Sequence, residues 1–294
     1  MSVYSKGVQT NIFDEEVGEE AYDTRLSSLF LEHTPIEEYF IGSRRIFVKR
    51  EDLFGIYPAP PLAKLRGARV VLSKLQRTGV TCVGSWDTRV SKLSQGIAAI
   101  TSVLGMRSIV CYPKLKGESA LPKAVEEARR VGAEIYPTRA GRMSISFSEG
   151  RRYVSSQGGV MLPFGLQCDD AVFGVQREAE TVPDECYKNG TLVLSTGSGV
   201  TLAGILRGFR GLPSRIIAIS AGRSVKMIRS FLLKYISSLP SELVLMEAEV
   251  PYSDEEERPA PFQSHPNYDR KVWWWLEENV GSLAGPILFW NIGG

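Results

Sequence analysis

The feature that most constrains how this chain can fold is its rhythm. Short apolar runs rich in Val and Ile alternate with stretches of helical length along nearly the whole sequence. The predicted strands are Arg45–Lys49, Thr81–Ser85, Ser108–Tyr112, Glu134–Pro137, Gly159–Pro163, Thr191–Ser195, Arg215–Ser220, Glu242–Val250 and Pro286–Trp290. Many are apolar at every position, the pattern of strands covered on both faces in a parallel sheet. Between them fall the predicted helices Leu65–Gln76, Lys92–Leu104, Ala120–Val131, Ala171–Thr181, Leu202–Phe209, Val225–Ile236 and Asp269–Asn279. Gly79, Gly105 and Gly132 directly follow three helical runs, where a left-handed residue stops a helix. Strand–helix–strand alternation of this kind predicts an α/β architecture. A chain of 294 residues is long enough for two packed lobes.

Composition narrows the function classes. The 35 basic and 33 acidic residues nearly balance, which argues against a broad nucleic-acid-binding surface while leaving room for a local patch. No apolar run is long enough for a membrane-spanning helix. The polar, acidic start Met1–Glu20 has neither the basic nor the apolar region of a signal peptide. Cys82, Cys111, Cys168 and Cys186 are scattered without a CxxC pair and are expected to be reduced thiols in a cytoplasmic protein. The two histidines, His33 and His265, stand next to Thr-Pro or Pro and read as loop residues, so no metal site is expected.

Two motifs carry chemistry. Ser195-Thr-Gly-Ser-Gly-Val-Thr201 follows an apolar strand and opens a helix. Small residues there let backbone N–H groups converge, and the helix N-terminus adds favourable potential, which together suit a phosphate. Neither a Walker lysine nor a GxGxxG spacing is present, so a small phosphorylated ligand fits better than a nucleotide triphosphate or a dinucleotide. The second motif is Lys49-Arg-Glu-Asp-Leu53 followed by Ala63-Lys64-Leu-Arg-Gly-Ala68. A partly desolvated lysine before a helix can attack an aldehyde, although a single lysine is more often simply exposed.

These pieces, in this order, resemble the fold-type-II pyridoxal-phosphate enzymes, which include tryptophan synthase β, threonine dehydratase, 1-aminocyclopropane-1-carboxylate deaminase and D-cysteine desulfhydrase. Ser91-Lys-Leu-Ser-Gln95 resembles the family helix that opens with Ser-Asn-His, and Leu162-Pro-Phe-Gly165 with Ala171–Glu178 resembles the approach to the phosphate loop. Pro266-Asn-Tyr-Asp-Arg-Lys271 and the ending Trp290-Asn-Ile-Gly-Gly294 are similar to the deaminase and desulfhydrase branch.

The resemblance implies two lobes, each a mostly parallel sheet flanked by helices, with pyridoxal 5'-phosphate in the cleft between them. It assigns residues 67–163 to a small domain and residues 1–66 plus 164–294 to a large one. Lys64 is implied to carry the cofactor as a Schiff base. Ser195, Thr196, Gly197, Ser198, Gly199, Val200 and Thr201 would hold its phosphate, and Asp269 its ring nitrogen, unless Asp269 serves as a helix N-cap. Tyr268 and Ser91 join Lys64 as catalytic candidates, and Ser91, Arg89 and Tyr252 as substrate-binding ones. A homodimer is also implied.

Departures matter too. Lys92 and Leu93 replace the family's Asn-His, which places a cation where the cofactor's phenolic oxygen is expected, and Ile292 replaces a common polar residue. The leading expectation is elimination or deamination of an amino acid. One alternative is a decarboxylase trimming an amino acid attached to a larger molecule such as a modified nucleotide. Another is a non-catalytic cofactor-binding protein. The segment Pro251–Pro266 is open to being a site-covering loop or a solvated connection, and Trp273-Trp-Trp275 reads as core packing rather than base stacking.

Overall fold

The computed structural model of the protein describes residues 22–294. The acidic stretch Met1–Glu20, read above as lacking a signal peptide, lies outside the described residues. In chain order the described strands are β1 (Ile36–Ile41), β2 (Arg44–Arg50), β3 (Cys82–Trp86), β4 (Arg107–Lys114), β5 (Glu134–Arg139), β6 (Val160–Met161), β7 (Thr191–Thr196), β8 (Arg215–Ser220), β9 (Leu243–Glu247) and β10 (Ile287–Asn291). The α-helices are α1 (Leu65–Arg77), α2 (Leu93–Leu104), α3 (Lys123–Arg130), α4 (Met143–Ser156), α5 (Asp169–Ala179), α6 (Val200–Gly208), α7 (Val225–Tyr235) and α8 (Asp269–Asn279). Among them no helix is long and apolar enough to cross a membrane.

The chain divides into two units. The first comprises the described residues up to Phe30, together with Ile56–Pro60 and Leu65–Gly174. Its four-stranded sheet runs β5-β4-β3-β6, all parallel. Val154 and Met161 pack with Cys82, Trp86, Ile109 and Cys111 on one side, while Ala98, Val110, Tyr112, Val125 and Ala128 form a second cluster. Both faces are therefore covered, as the apolar strands require.

This unit extends past the expected bound at 163 because α1 and α5 touch backbone to backbone. A Cβ on Gly67 would lie 2.5 Å from the Ala171 carbonyl oxygen, and one on Gly174 would lie 2.4 Å from that of Arg66. Glycine at both places is what permits the approach.

The second unit comprises Leu31–Gly55, Pro61–Lys64 and Val175–Gly294. Its six-stranded sheet runs β1-β2-β10-β7-β8-β9, parallel except for the antiparallel edge strand β1. The core holds Ile46, Val48, Val193, Ile217, Phe289 and, from α8, Val272, Trp273 and Leu276. Trp274 and Trp275 pack against that cluster, so the tryptophan run is core and its margin.

The Lys49–Asp52 run lies at the C-terminal end of β2 and is buried. Lys49 Nζ donates to the Glu178 carboxylate and to the Thr34 carbonyl (2.6 Å). Glu178 also accepts from the Thr34 N–H (3.1 Å) and lies 3.0 Å from His33 Nδ1. Arg50 forks onto Asp52, and Asp52 accepts from the Asn291 side chain (2.8 Å) at the end of β10. Each of these buried charges thus has a partner, the condition for keeping ions out of water. The result fixes the point where β10 leaves the sheet.

Candidate active site

Strand β7 is buried at all six positions and delivers the chain to Gly197-Ser198-Gly199, after which α6 begins. Gly199 has φ +88°, and a Cβ there would sit 2.7 Å from the Phe231 ring. Only glycine fits both the left-handed backbone and the space. Gly197 is open: the nearest atom to a Cβ placed there would be Tyr268 Cε1, at 3.8 Å. The hydroxyl-bearing Ser198 and Thr201 are buried beside this turn. The first-turn N–H groups of α6 have no partner within their own helix, so the turn, a cradle at the carboxyl ends of parallel strands, suits a phosphate.

Lys64 sits half-buried in the turn immediately before α1. The segment that carries it is pinned to the C-terminal tail. Ala63 N–H donates to the Ile292 carbonyl (2.8 Å), Leu62 bridges Gly293, and Gly294 N–H donates to the Pro61 carbonyl (3.1 Å). From the tail the connection continues inward, because Ile292 N–H donates to Asp269 Oδ1 (2.9 Å). The same oxygen accepts from the Ser195 hydroxyl (3.2 Å), the residue that leads into the cradle. A short run of hydrogen bonds therefore links the Lys64 turn, Asp269 and the end of β7 that leads into the Gly197–Gly199 turn.

Asp269 is fully buried at the first residue of α8. The N-cap position belongs to Tyr268, so Asp269 is not the cap that the sequence allowed. Burial pushes its carboxyl up to about 8, against the Ile292 N–H and Ser195 hydroxyl, which favour the ionised form. Its Oδ2 is buried without a hydrogen-bond partner. A buried polar atom in that state is costly, and it suits a cationic ring nitrogen.

Two tyrosines lie over the cradle. The Tyr252 and Tyr268 hydroxyls are 2.5 Å apart, with either able to donate. Asn267 holds the pair in place by donating to the Tyr252 carbonyl (3.1 Å). Buried Lys271 donates to the Pro251 carbonyl (2.6 Å), and Arg270 reaches the Glu256 and Ser264 carbonyls (3.1 Å each). The Pro251–Pro266 segment is thus tied down along its length. Asn267, Arg270 and Lys271 were not singled out from sequence for this role. Their proximity in sequence to Tyr268 was the only available sign.

Arg89, Ser91 and Lys92 belong to the other unit, on the loop between β3 and α2. Asp87 shapes it, accepting from the Thr88 N–H (3.0 Å) and the Ser94 N–H (2.9 Å). Ser91 Oγ accepts from the Leu93 N–H (3.3 Å) at the helix start. Lys92 is half-buried, and burial with the Lys123 charge holds its pKa below the usual lysine range. Arg89 forms a fork with Glu118 (2.7 and 2.8 Å), so its guanidinium already faces a carboxylate. The four cysteines are free and buried, and burial raises Cys111 to about 12 and Cys186 to about 11.

Parallel sheets with a glycine–serine cradle at the strand ends define an α/β enzyme that takes a phosphorylated cofactor. The family model for the pyridoxal-phosphate dependent enzymes matches residues 28–254, and the chain belongs to that family, with pyridoxal 5'-phosphate as its cofactor. It is 30% identical over 280 residues to a glycyl-dTMP PLP-dependent decarboxylase of Pseudomonas phage M6, covering 90% of this chain and 100% of the relative. A crystal structure of an ACC deaminase homologue matches with a TM-score of 0.72 at 19% identity, covering 92% of this chain and 93% of that one. The processed threonine deaminase isoform 2 of Solanum lycopersicum matches with a TM-score of 0.67 at 14% identity, over 91% of this chain and 80% of the other. At those identities the structural matches establish the fold, and it is the fold-type-II one the motifs resembled.

Proposed function

We propose that the protein is a pyridoxal-phosphate-dependent decarboxylase that removes the carboxyl group of an amino acid carried on a nucleotide. The observation that carries this reading is the 30% identity to the phage glycyl-dTMP decarboxylase across that relative's full length. Elimination and deamination, the leading expectation from the motifs, are supported by likeness of fold alone.

The residues present fit the cofactor. In this reading Ser195–Thr201 would bind its phosphate, the unpartnered Asp269 Oδ2 would pair with its ring nitrogen and Lys64 would attach it. Bound there, the cofactor would supply an electron sink for the pair of electrons left on the substrate carbon when carbon dioxide departs. Tyr268 then delivers the proton that replaces carbon dioxide at the substrate carbon, and the Tyr252 hydroxyl holds that phenol in position. The balance is one amino acid and one proton consumed, one amine and one carbon dioxide released. A homodimer in the cytoplasm belongs to the same reading, and sedimentation velocity tests the dimer.

The direct experiment incubates the cofactor-loaded protein with glycyl-dTMP. Carbon dioxide released one for one with the decarboxylated nucleotide is the expected result. Ammonia with a keto acid, and no carbon dioxide, would replace this reading with deamination.

A further inference from the structure

We propose that Ser195 is a positioning residue for Asp269: its hydroxyl holds one carboxylate oxygen so that the other is presented to the cofactor's ring nitrogen, and it takes no part in gripping the phosphate. The inference rests on the cofactor assignment above, whatever bond the enzyme breaks. It reassigns one side chain of the Ser195–Thr201 stretch and leaves the phosphate to the residues after it.

Strand geometry decides which way Ser195 points. Successive side chains of a strand lie on opposite faces of the sheet, so Ser195 shares a face with Val193, and Thr196 does not. Val193 packs in the core cluster with Val272, Trp273 and Leu276 of α8. Ser195 therefore faces the helix that begins at Asp269, and it is fully buried there. A hydroxyl so placed serves the carboxylate rather than the loop beyond the strand end.

The contacts to Asp269 are one-sided. The Ser195 hydroxyl (3.2 Å) and the Ile292 N–H (2.9 Å) both donate to Oδ1, one from the end of β7 and one from the tail after β10. Two donors from separate elements on a single oxygen hold the carboxyl group in one orientation. Oδ2 is buried and has no hydrogen-bond partner. A carboxylate accepts at both oxygens, so this asymmetry leaves a place for one further donor, and a protonated ring nitrogen is the donor the cofactor offers. Burial favours the neutral acid, and the Ile292 N–H and the Ser195 hydroxyl oppose it.

The test is a binding titration without substrate, so its outcome is separate from that of the carbon dioxide assay. Calorimetry measures the affinity of the cofactor-free protein for pyridoxal 5'-phosphate and for its 1-deaza analogue, which keeps the phosphate and replaces the ring nitrogen with C–H. Wild type is compared with Ser195→Ala, Ser195→Thr and Asp269→Asn. Ser195→Cys, which keeps the volume, replaces the alanine variant if that one does not fold. In the same proteins, carbon NMR of isotope-labelled aspartate follows the Asp269 carboxyl.

Ser195→Ala is expected to bind pyridoxal 5'-phosphate about 5- to 50-fold more weakly, to keep its affinity for the deaza analogue within about 2-fold, and to raise the pH at which Asp269 titrates. Ser195→Thr, which keeps the hydroxyl, is expected to restore most of the loss. In an Asp269→Asn background the alanine substitution is expected to add little, because the two residues act as a unit. An equal loss for both ligands would assign Ser195 to the phosphate and overturn the proposal. An unchanged affinity for both, or an unmoved carboxyl titration, would also contradict it. Wild type that binds the two ligands equally well would remove Asp269 as the partner of the ring nitrogen, and this inference with it.

Discussion

Two phenols 2.5 Å apart share one hydrogen bond, so the Tyr252 and Tyr268 hydroxyls act as a unit in which one donates and the other accepts. Proton delivery by a positioned side chain contributes about 10²- to 10⁴-fold to a rate. Tyr268→Phe is accordingly expected to lower kcat by that order with little change in KM. Tyr252→Phe, which removes only the orienting bond, is expected to cost about 2- to 10-fold. Steady-state kinetics separate the two, and equal losses would show that Tyr252 itself touches the reacting atoms. Asp269 makes a different kind of claim. Its folded carboxyl titrates near 8, well above the ordinary value of 3.8. The folded cofactor-free protein therefore holds a proton that the unfolded chain releases, and stability falls as pH rises from about 4 toward 8. Replacing Asp269 with Asn removes that slope, so the melting temperature of Asp269→Asn relative to wild type is expected to climb with pH across this window. A difference that stays flat with pH would contradict the burial of a protonated carboxyl. At this scale the 195–201 stretch was legible as a glycine–serine turn between a strand and a helix, whereas Lys64 stood out only through the resemblance. Asn267 was visible only as part of the Pro266–Lys271 motif, since its hydrogen bond to the Tyr252 carbonyl depends on which turn lies next to which.

Among the elements, strands apolar throughout were readable from composition alone, and β8 matches its sequence-based bounds. Two elements were not. Strand β1 carries two adjacent acids, Glu37 and Glu38, and as an antiparallel edge strand it has no fully buried residue. Its pattern differs from that of the buried parallel strands for that reason. Helix α4 is rich in serine and contains Gly150, both weak helix formers. Packing decides it instead, because a Cβ on Gly150 would meet Cys111 at 2.9 Å, so the glycine allows the helix to sit close on β4. The Lys49–Asp52 run was legible as a motif but not as an ion network, because Glu178 lies 129 positions away from Lys49. Removing one member of a buried pair leaves the other uncompensated, at a cost of about 3–5 kcal/mol. Glu178→Ala is expected to lose stability by that amount in denaturant unfolding. A change below about 1 kcal/mol would show that the network is dispensable.

For the whole molecule, the order of weak motifs carried more information than any one of them. A helix-capped glycine loop occurs in many folds, whereas the succession from Lys64 to the Ile292–Gly294 tail led to the family that the family match then established. What the order could not reveal was the reaction, because the fold hosts several and the bond broken depends on a few side chains. The central chemical claim is that Lys64, rather than the also half-buried Lys92, is the amine that holds the cofactor. Borohydride reduction of the cofactor-loaded protein followed by peptide mass mapping tests it most directly. A pyridoxyl group on Lys64, absent in Lys64→Ala, is the expected result, and the same label on Lys92 or on no lysine would contradict it.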